Sequence, residues 1–242
     1  MTETLSPKDA ARLVAALRKH GELSHQRAEG GDLSPEMAML RAWQAQRLAR
    51  TYADFLADPR YAPACRFFLD DIYAPKDFTQ RNEDVIRIHE FMSRILPARV
   101  LKTLTMAIEL NNLTEDLDAK LLRVLLNDLG VTDRITEAQY AEAYRLCDNY
   151  EDRVRQIEMI VAIGRDLERL VRHRVIGWTL RMARGPAYRA GWKELQDFLE
   201  HGYNSFRRMG KADKFLNAIY DREMQILDNI YQGKPHPFDL SS

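Results

Sequence analysis

The chain has little of what staples, ligates metal or spans membranes. It holds two cysteines, Cys65 and Cys147, far apart in 242 residues. That excludes a disulfide framework and fits a reducing compartment. No apolar run approaches the roughly 18 residues a membrane-spanning helix needs. The start, Met1-Thr2-Glu3-Thr4-Leu5-Ser6-Pro7, has neither the basic nor the apolar region of a secretory signal. A cytoplasmic location is the expectation. An excess of one charge is also missing, with 36 basic residues against 36 acidic. No global field therefore pulls the chain toward nucleic acid or membrane. Phosphate-binding glycine loops, nucleophile elbows and zinc-type His-Glu-x-x-His are absent. Helical di-iron sites take two Glu-x-x-His motifs; the one here is Glu22-Leu23-Ser24-His25. No metal, no cofactor and no catalytic residue is assigned, and the balance leans against an enzyme.

What is present is helical periodicity. Apolar residues recur at helical spacing and no segment alternates as a strand does. The nine prolines all sit at expected helix edges, and none falls between Pro97 and Pro186. Ser34 before Pro35-Glu36 reads as a helix start, and Thr136-Glu137-Ala138-Gln139 as a capping box. Gly130 and Gly210 read as punctuation. The spacing predicts helices near 7–19, 35–57, 61–73, 79–95, 98–112, 115–129, 137–148, 151–183, 187–207 and 212–231. The expected fold class is all-α: a single multi-helix domain of about nine to ten helices over 1–232, long antiparallel helices around one core, and a C-terminal tail over 233–242.

Charged residues that fall inside apolar stripes mark candidate sites, because a buried charge needs a partner. On the 61–73 helix the stripe is Tyr61, Cys65, Phe68, Leu69 and Ile72. Phe67 lies opposite, flanked by Asp70 and Asp71, so Phe67 and Tyr73 are candidates to face a partner. The two aspartates sit where the helix dipole disfavours negative charge and call for cationic partners. Arg81 falls in the stripe of the 79–95 helix, and His89 lies on its edge. Glu168 shares a face with Ile157, Ile160, Val161 and Leu167, and Glu223 with Phe215, Leu216, Ile219 and Ile226. Asp70, Asp71, Arg81, His89, Glu168 and Glu223 form the candidate polar network. The plain reading is structural, with Arg81, Arg222 or another arginine neutralising the acids. The sharper reading is a ligand pocket. Both cysteines read as core thiols.

No acid occurs from Arg169 to Lys193, a stretch that interleaves arginines with His173, Trp178, Tyr188 and Trp192. Arg172, Arg181, Arg184 and Arg189 are its anion-binding candidates. Trp178 lies on the apolar stripe and is expected in the core. Arg184-Gly185-Pro186 reads as a helix break whose exposed amides could add to an anion site.

The window Phe67-Phe68-Leu69-Asp70-Asp71-Ile72-Tyr73, followed by Ala74-Pro75-Lys76-Asp77-Phe78, resembles the signature of uncharacterised bacterial proteins named for an FFLEELY motif. Phe198-Leu199-Glu200-His201-Gly202-Tyr203, then Phe215-Leu216 and Arg222-Glu223, is similar to the same family's C-terminal part. The resemblance implies an all-helical domain, implies no known reaction and carries over no catalytic residue.

The leading functional expectation is a non-enzymatic interaction or regulatory module that self-associates. The alternative is a helical binding protein or enzyme with an internal pocket for an apolar or anionic small molecule, lined by Glu168, Glu223 and His89 or His173. A second alternative is binding of nucleic acid or an anionic surface through 169–193. A protein partner or self-association is expected ahead of a small-molecule ligand, nucleic acid is not favoured, and no membrane insertion is expected.

Overall fold

The computed structural model describes residues 6–28, 34–72 and 96–240. Among them are ten α-helices, one π-helical segment and no strand. The helices are α1 (Pro7–Ala28), α2 (Pro35–Thr51), α3 (Ala53–Ala57) and α4 (Ala62–Arg66), the last continued by a π-helical segment (Phe67–Ile72). After them come α5 (Ala98–Asn127), α6 (Glu137–Cys147), α7 (Tyr150–Val171), α8 (Arg174–Arg189), α9 (Lys193–Met209) and α10 (Asp213–Tyr231). The chain is a single helical domain.

Local chemistry starts several of these helices where expected. The Ser34 hydroxyl accepts from the Met37 amide, with Pro35 in the first turn of α2. Thr136 and Gln139 form a complete capping box on α6. Gly130 and Gly210 take positive φ, +61° and +76°, which glycine adopts without a Cβ penalty.

Other boundaries differ from the periodicity. The helices expected at 98–112 and 115–129 are one helix, α5, since nothing between them breaks the backbone ladder. The helix expected at 151–183 is two, α7 and α8, divided at Arg172-His173. Pro186 lies inside the last turn of α8. Its ring removes only the bond to the Met182 carbonyl, and the helix persists to Arg189. There is thus no break at Arg184-Gly185-Pro186 and no new helix start to hold an anion.

α7 is the central element, packed against α5, α9 and α10; α1 lies on α5, and α8 on α9. The main core joins Leu13 and Leu17 of α1, Leu101 and Leu104 of α5, Ile160 of α7, and Phe206 and Phe215 of α9 and α10. A smaller cluster gathers Leu40, Leu121, Leu125 and Tyr140, with Trp43 and Phe238 on its flank. Phe238 belongs to the segment expected as a tail. It meets Trp43 edge-on at 5.5 Å, and the buried Asn229 amide donates to the Pro237 carbonyl.

Phe67 does not face a partner: it is 1% exposed. A π-helical turn holds an extra residue, so two consecutive side chains that would diverge on an α-helix both enter the core. Phe67 packs on Phe198 and His201 of α9 at ring distances of 5.3 and 5.5 Å. Phe68 packs on Phe206 and Phe215 at 5.9 and 5.7 Å. Gly202 makes room for this, because a Cβ there would sit 2.7 Å from Phe67 Cζ. Gly164 likewise admits the Leu216 side chain.

Candidate functional site

Of the expected polar network only Glu168 and Glu223 have described side chains, and each meets its own arginine. Glu168 is buried and bonds Arg172, one turn on, at 2.5 Å. Glu223 lies elsewhere, in a bond with Arg47 of α2. The Arg47 guanidinium donates to both Glu223 oxygens, at 2.6 and 2.9 Å, and the Tyr52 hydroxyl adds a third bond at 2.9 Å. The chamber that Glu223 lines does not include Glu168. Arg222, one of the expected neutralisers, is bidentate to Asp54 at 2.8 Å on each arm and holds that carboxyl below its usual range. Asp70 and Asp71 fall in the π-helical segment with their side chains outside the described part, and Tyr73, Arg81 and His89 lie outside the described residues. Cys65 is buried in the main core, and Cys147, half-buried, packs against the smaller cluster.

The Arg47–Glu223 pair forms one wall of a polar chamber of about 40 Å³ between α2, α5, α6, α7 and α10. Asp118 of α5 and Arg153 of α7 also line it, with Tyr140, Gln156 and Thr114. Asp118 is 4% exposed and accepts one hydrogen bond, from Gln44 Nε2 at 2.9 Å. Burial pushes its carboxyl up from the ordinary value, against the pull of Arg153, Gln44 and Arg41. Arg153 is 3% exposed. Its guanidinium lies over the Tyr144 ring at 4.3 Å and donates to Gln156 Oε1 at 3.2 Å. A second contact, to the Leu117 carbonyl, is long at 3.5 Å, and its Nε is buried with no hydrogen-bond partner.

A consequence for stability follows from the raised Asp118 carboxyl. A carboxyl whose folded value exceeds its unfolded one stabilises most when protonated, below the ordinary 3.8, and loses that contribution as pH rises through the raised value. Burial penalises the ionised form of Asp118. Asp118→Asn is expected to raise the thermal midpoint at neutral pH by roughly 2–4 °C, the equivalent of about 1 kcal/mol at this chain length. The advantage should shrink on acidification toward the ordinary carboxylate range. Thermal scans of both proteins across pH check it, and an unchanged or lower midpoint for the variant at neutral pH contradicts it.

Arg47, Asp118 and Arg153 were not among the candidates expected from sequence, although the signal was present. Arg47 sits seven residues after Leu40, Asp118 three before Leu121, and Arg153 four before Ile157, all on buried faces. The in-stripe criterion that found Glu223 applies equally to α2, α5 and the first turn of α7.

A second feature lies on the surface. Trp178, expected in the core, is 59% exposed, with Val175 and Met182 at 69% and 61%. The opposite face of α8, Ile176, Leu180, Ala183 and Ala187, is buried. The division at Arg172-His173 restarts the helical phase, which turns these three residues outward. Arg172 is held by Glu168 and Arg184 by Glu200, so two of the four anion candidates are engaged with acids. Arg181 and Arg189 are exposed beside the outward stripe, as is Arg174.

Among the described residues no cluster of His, Cys, Asp and Glu is placed to hold a metal. None of their helices is long and apolar enough to cross a membrane. No curated protein and no solved structure matches the chain. A family model does match, over residues 23–237, from within α1 to the segment that carries Phe238. With that match covering most of its length, the chain belongs to the family described as Domain of unknown function (DUF8198).

Proposed function

We propose that this protein is a non-enzymatic interaction module that docks an acidic amphipathic segment of a partner protein on the outer face of α8. One observation carries the reading: α8 is apolar on two opposite faces, and among the described residues only one of them is covered. A helix apolar on both sides is ordinarily enclosed. Exposed apolar patches rimmed by polar groups mark interaction sites. The side chains concerned are those enriched at interface centres, tryptophan and methionine flanked by arginine.

The charge pattern selects the partner. Arg174, Arg181 and Arg189 rim the stripe, and no acid occurs from Arg169 to Lys193. Two copies of this face set against each other would bring arginine to arginine, so self-association through α8 is disfavoured. A partner segment with apolar residues at helical spacing and carboxylates beside them meets both requirements. Arginine's planar fork suits carboxylates at such a rim. An anionic membrane would find no net positive charge on the chain to attract it from a distance.

A photocrosslinking residue at position 178, in cells, tests this. The expected result is an adduct with one acidic protein, seen also from position 182 but not from exposed Glu158. Reversing Arg174 and Arg181 to glutamate should abolish the adduct. An adduct of twice the chain mass, a lipid adduct, or none above the Glu158 background would overturn the reading. The purified chain alone should be a monomer in light scattering at all concentrations.

A further inference from the structure

The starts of α5 and α8 border one groove of about 360 Å³. It is lined by Arg99 and Lys102 of α5, Asp166 and Arg169 of α7, and His173 at the head of α8. Three permanent cations face one carboxylate there, in a chain whose overall charge is zero. A local excess of that kind attracts a small anion at close range. An open groove of about 710 Å³ between α2 and α10 gives the contrast, because its arginines are settled: Arg50 meets Glu137 at 3.0 Å and Arg222 meets Asp54 at 2.8 Å. In the smaller groove Lys102 Nζ stands 3.2 Å from Asp9, and Arg169 Nη1 stands 3.4 Å from Asp166. Both exceed the roughly 2.7–2.9 Å of a tight charge-assisted bond. The two cationic side chains are 55% and 71% exposed. Exposed pairs of this kind contribute little, so a better acceptor displaces them readily.

The helix ends point the same way. Among the described helices of eight residues or more, all but two carry an acid in the first turn. The exceptions are α5 and α8, and neither has a side-chain cap. Their positive dipole ends are thus offset by no acid of their own, and both lie at this groove. The last turn of α7 also reaches it and works against an anion, an effect that Arg169 in that turn opposes.

A monocarboxylate offers only what Asp9 and Asp166 already supply. A phosphate monoester brings close to two charges at neutral pH and three terminal oxygens. That is enough for an ammonium, a guanidinium and a ring N–H together. The groove also exceeds a bare phosphoryl group and falls within the roughly 300–1,000 Å³ of small-ligand clefts. We propose that it binds a small phosphate monoester, with the phosphoryl group on Lys102 and Arg169 and the His173 ring as a further donor. The outer face of α8 takes no part.

Calorimetry on the full chain with ribose 5-phosphate, ribose and acetate tests this. One site for ribose 5-phosphate is expected, at least tenfold tighter than acetate, with no binding of ribose. Lys102→Gln and Arg169→Gln, both at exposed positions, should each weaken it by roughly threefold to tenfold, the loss of one charged contact. Asp166→Asn should tighten it, since the carboxylate that repels the phosphoryl group is gone. Arg208→Gln, on an exposed arginine of α9 outside the groove, should leave it unchanged. Absence of ribose 5-phosphate binding overturns the proposal, as does acetate bound equally well. Equal weakening by Arg208→Gln overturns it too, because binding would then follow net charge and not this groove. Binding to phosphatidic acid vesicles without binding of the free ester assigns the phosphoryl group to a lipid surface and overturns the small-molecule assignment.

Discussion

Arg47→Leu should destabilise the fold by about 3–5 kcal/mol, because it strips a buried carboxylate of its counter-charge. The Arg47 and Glu223 side chains are 8% and 10% exposed, and the guanidinium supplies two of the three hydrogen bonds that reach the carboxylate. The Tyr52 hydroxyl remains, but a neutral donor does not offset a desolvated charge. Domains are stable by only about 5–15 kcal/mol, so this one substitution removes a large share. At roughly 2–4 °C per kcal/mol for a chain of this size, the thermal midpoint should fall by about 10 °C. Arg47→Leu combined with Glu223→Leu should recover most of the loss, since a buried pair replaced by apolar residues of similar volume is often neutral or better. Urea titration of the two single variants and the double variant measures the coupling. If Arg47→Leu shifts the midpoint no more than an ordinary surface substitution, water reaches Glu223 and the pair is not the structural tie described.

Phe67→Ala should cost about 3–5 kcal/mol, the range for a fully buried aromatic. The side chain bridges the π-helical segment and α9 through Phe198 and His201, and its ring lies against Gly202. Were it a partner-facing residue, the same change would leave stability almost untouched. Gly202 supplies an internal control. Glycine to alanine in a helix interior ordinarily gains about 1 kcal/mol, yet a Cβ at 202 would sit 2.7 Å from Phe67 Cζ. Gly202→Ala should therefore destabilise the wild type, and should cost less or become favourable once Phe67→Ala has cleared the space. A double-mutant cycle by chemical denaturation reads this as a coupling between two residues in contact. Additive effects would place Phe67 away from Gly202.

Much of the fold was legible in the sequence. The helical class, the starts at Ser34 and Thr136 and the stops at Gly130 and Gly210 depend on neighbours within a turn, and short-range chemistry encodes them directly. Boundaries that depend on packing were not. The division at Arg172-His173 has neither proline nor glycine at the junction. The continuous helix α5 carries Asn111, Asn112 and Thr114 where a new helix could start, and short-range chemistry cannot tell that they stay inside one helix. The π-helical segment adds one residue to a turn, which the α-helical period misses, and that single residue moved Phe67 from an expected docking face into the core.

The candidate site was legible only in part. Glu168 and Glu223 were correctly expected to be buried and paired, because periodicity assigns a residue to a face. Their partners differ in kind. Glu168 is met by Arg172 four positions on, within reach of a local argument. Glu223 is met by Arg47, 176 positions away. Asp118 and Arg153 follow the same logic: each lies on a buried face of its own helix, and nothing local says that both line one chamber. The sequence by itself determined an all-helical chain with buried charges that require partners. The tertiary structure decided which charges meet, which line a common cavity, and which face of α8 is exposed. Periodicity is a property of one helix, whereas pairing and exposure are set by how helices pack against each other.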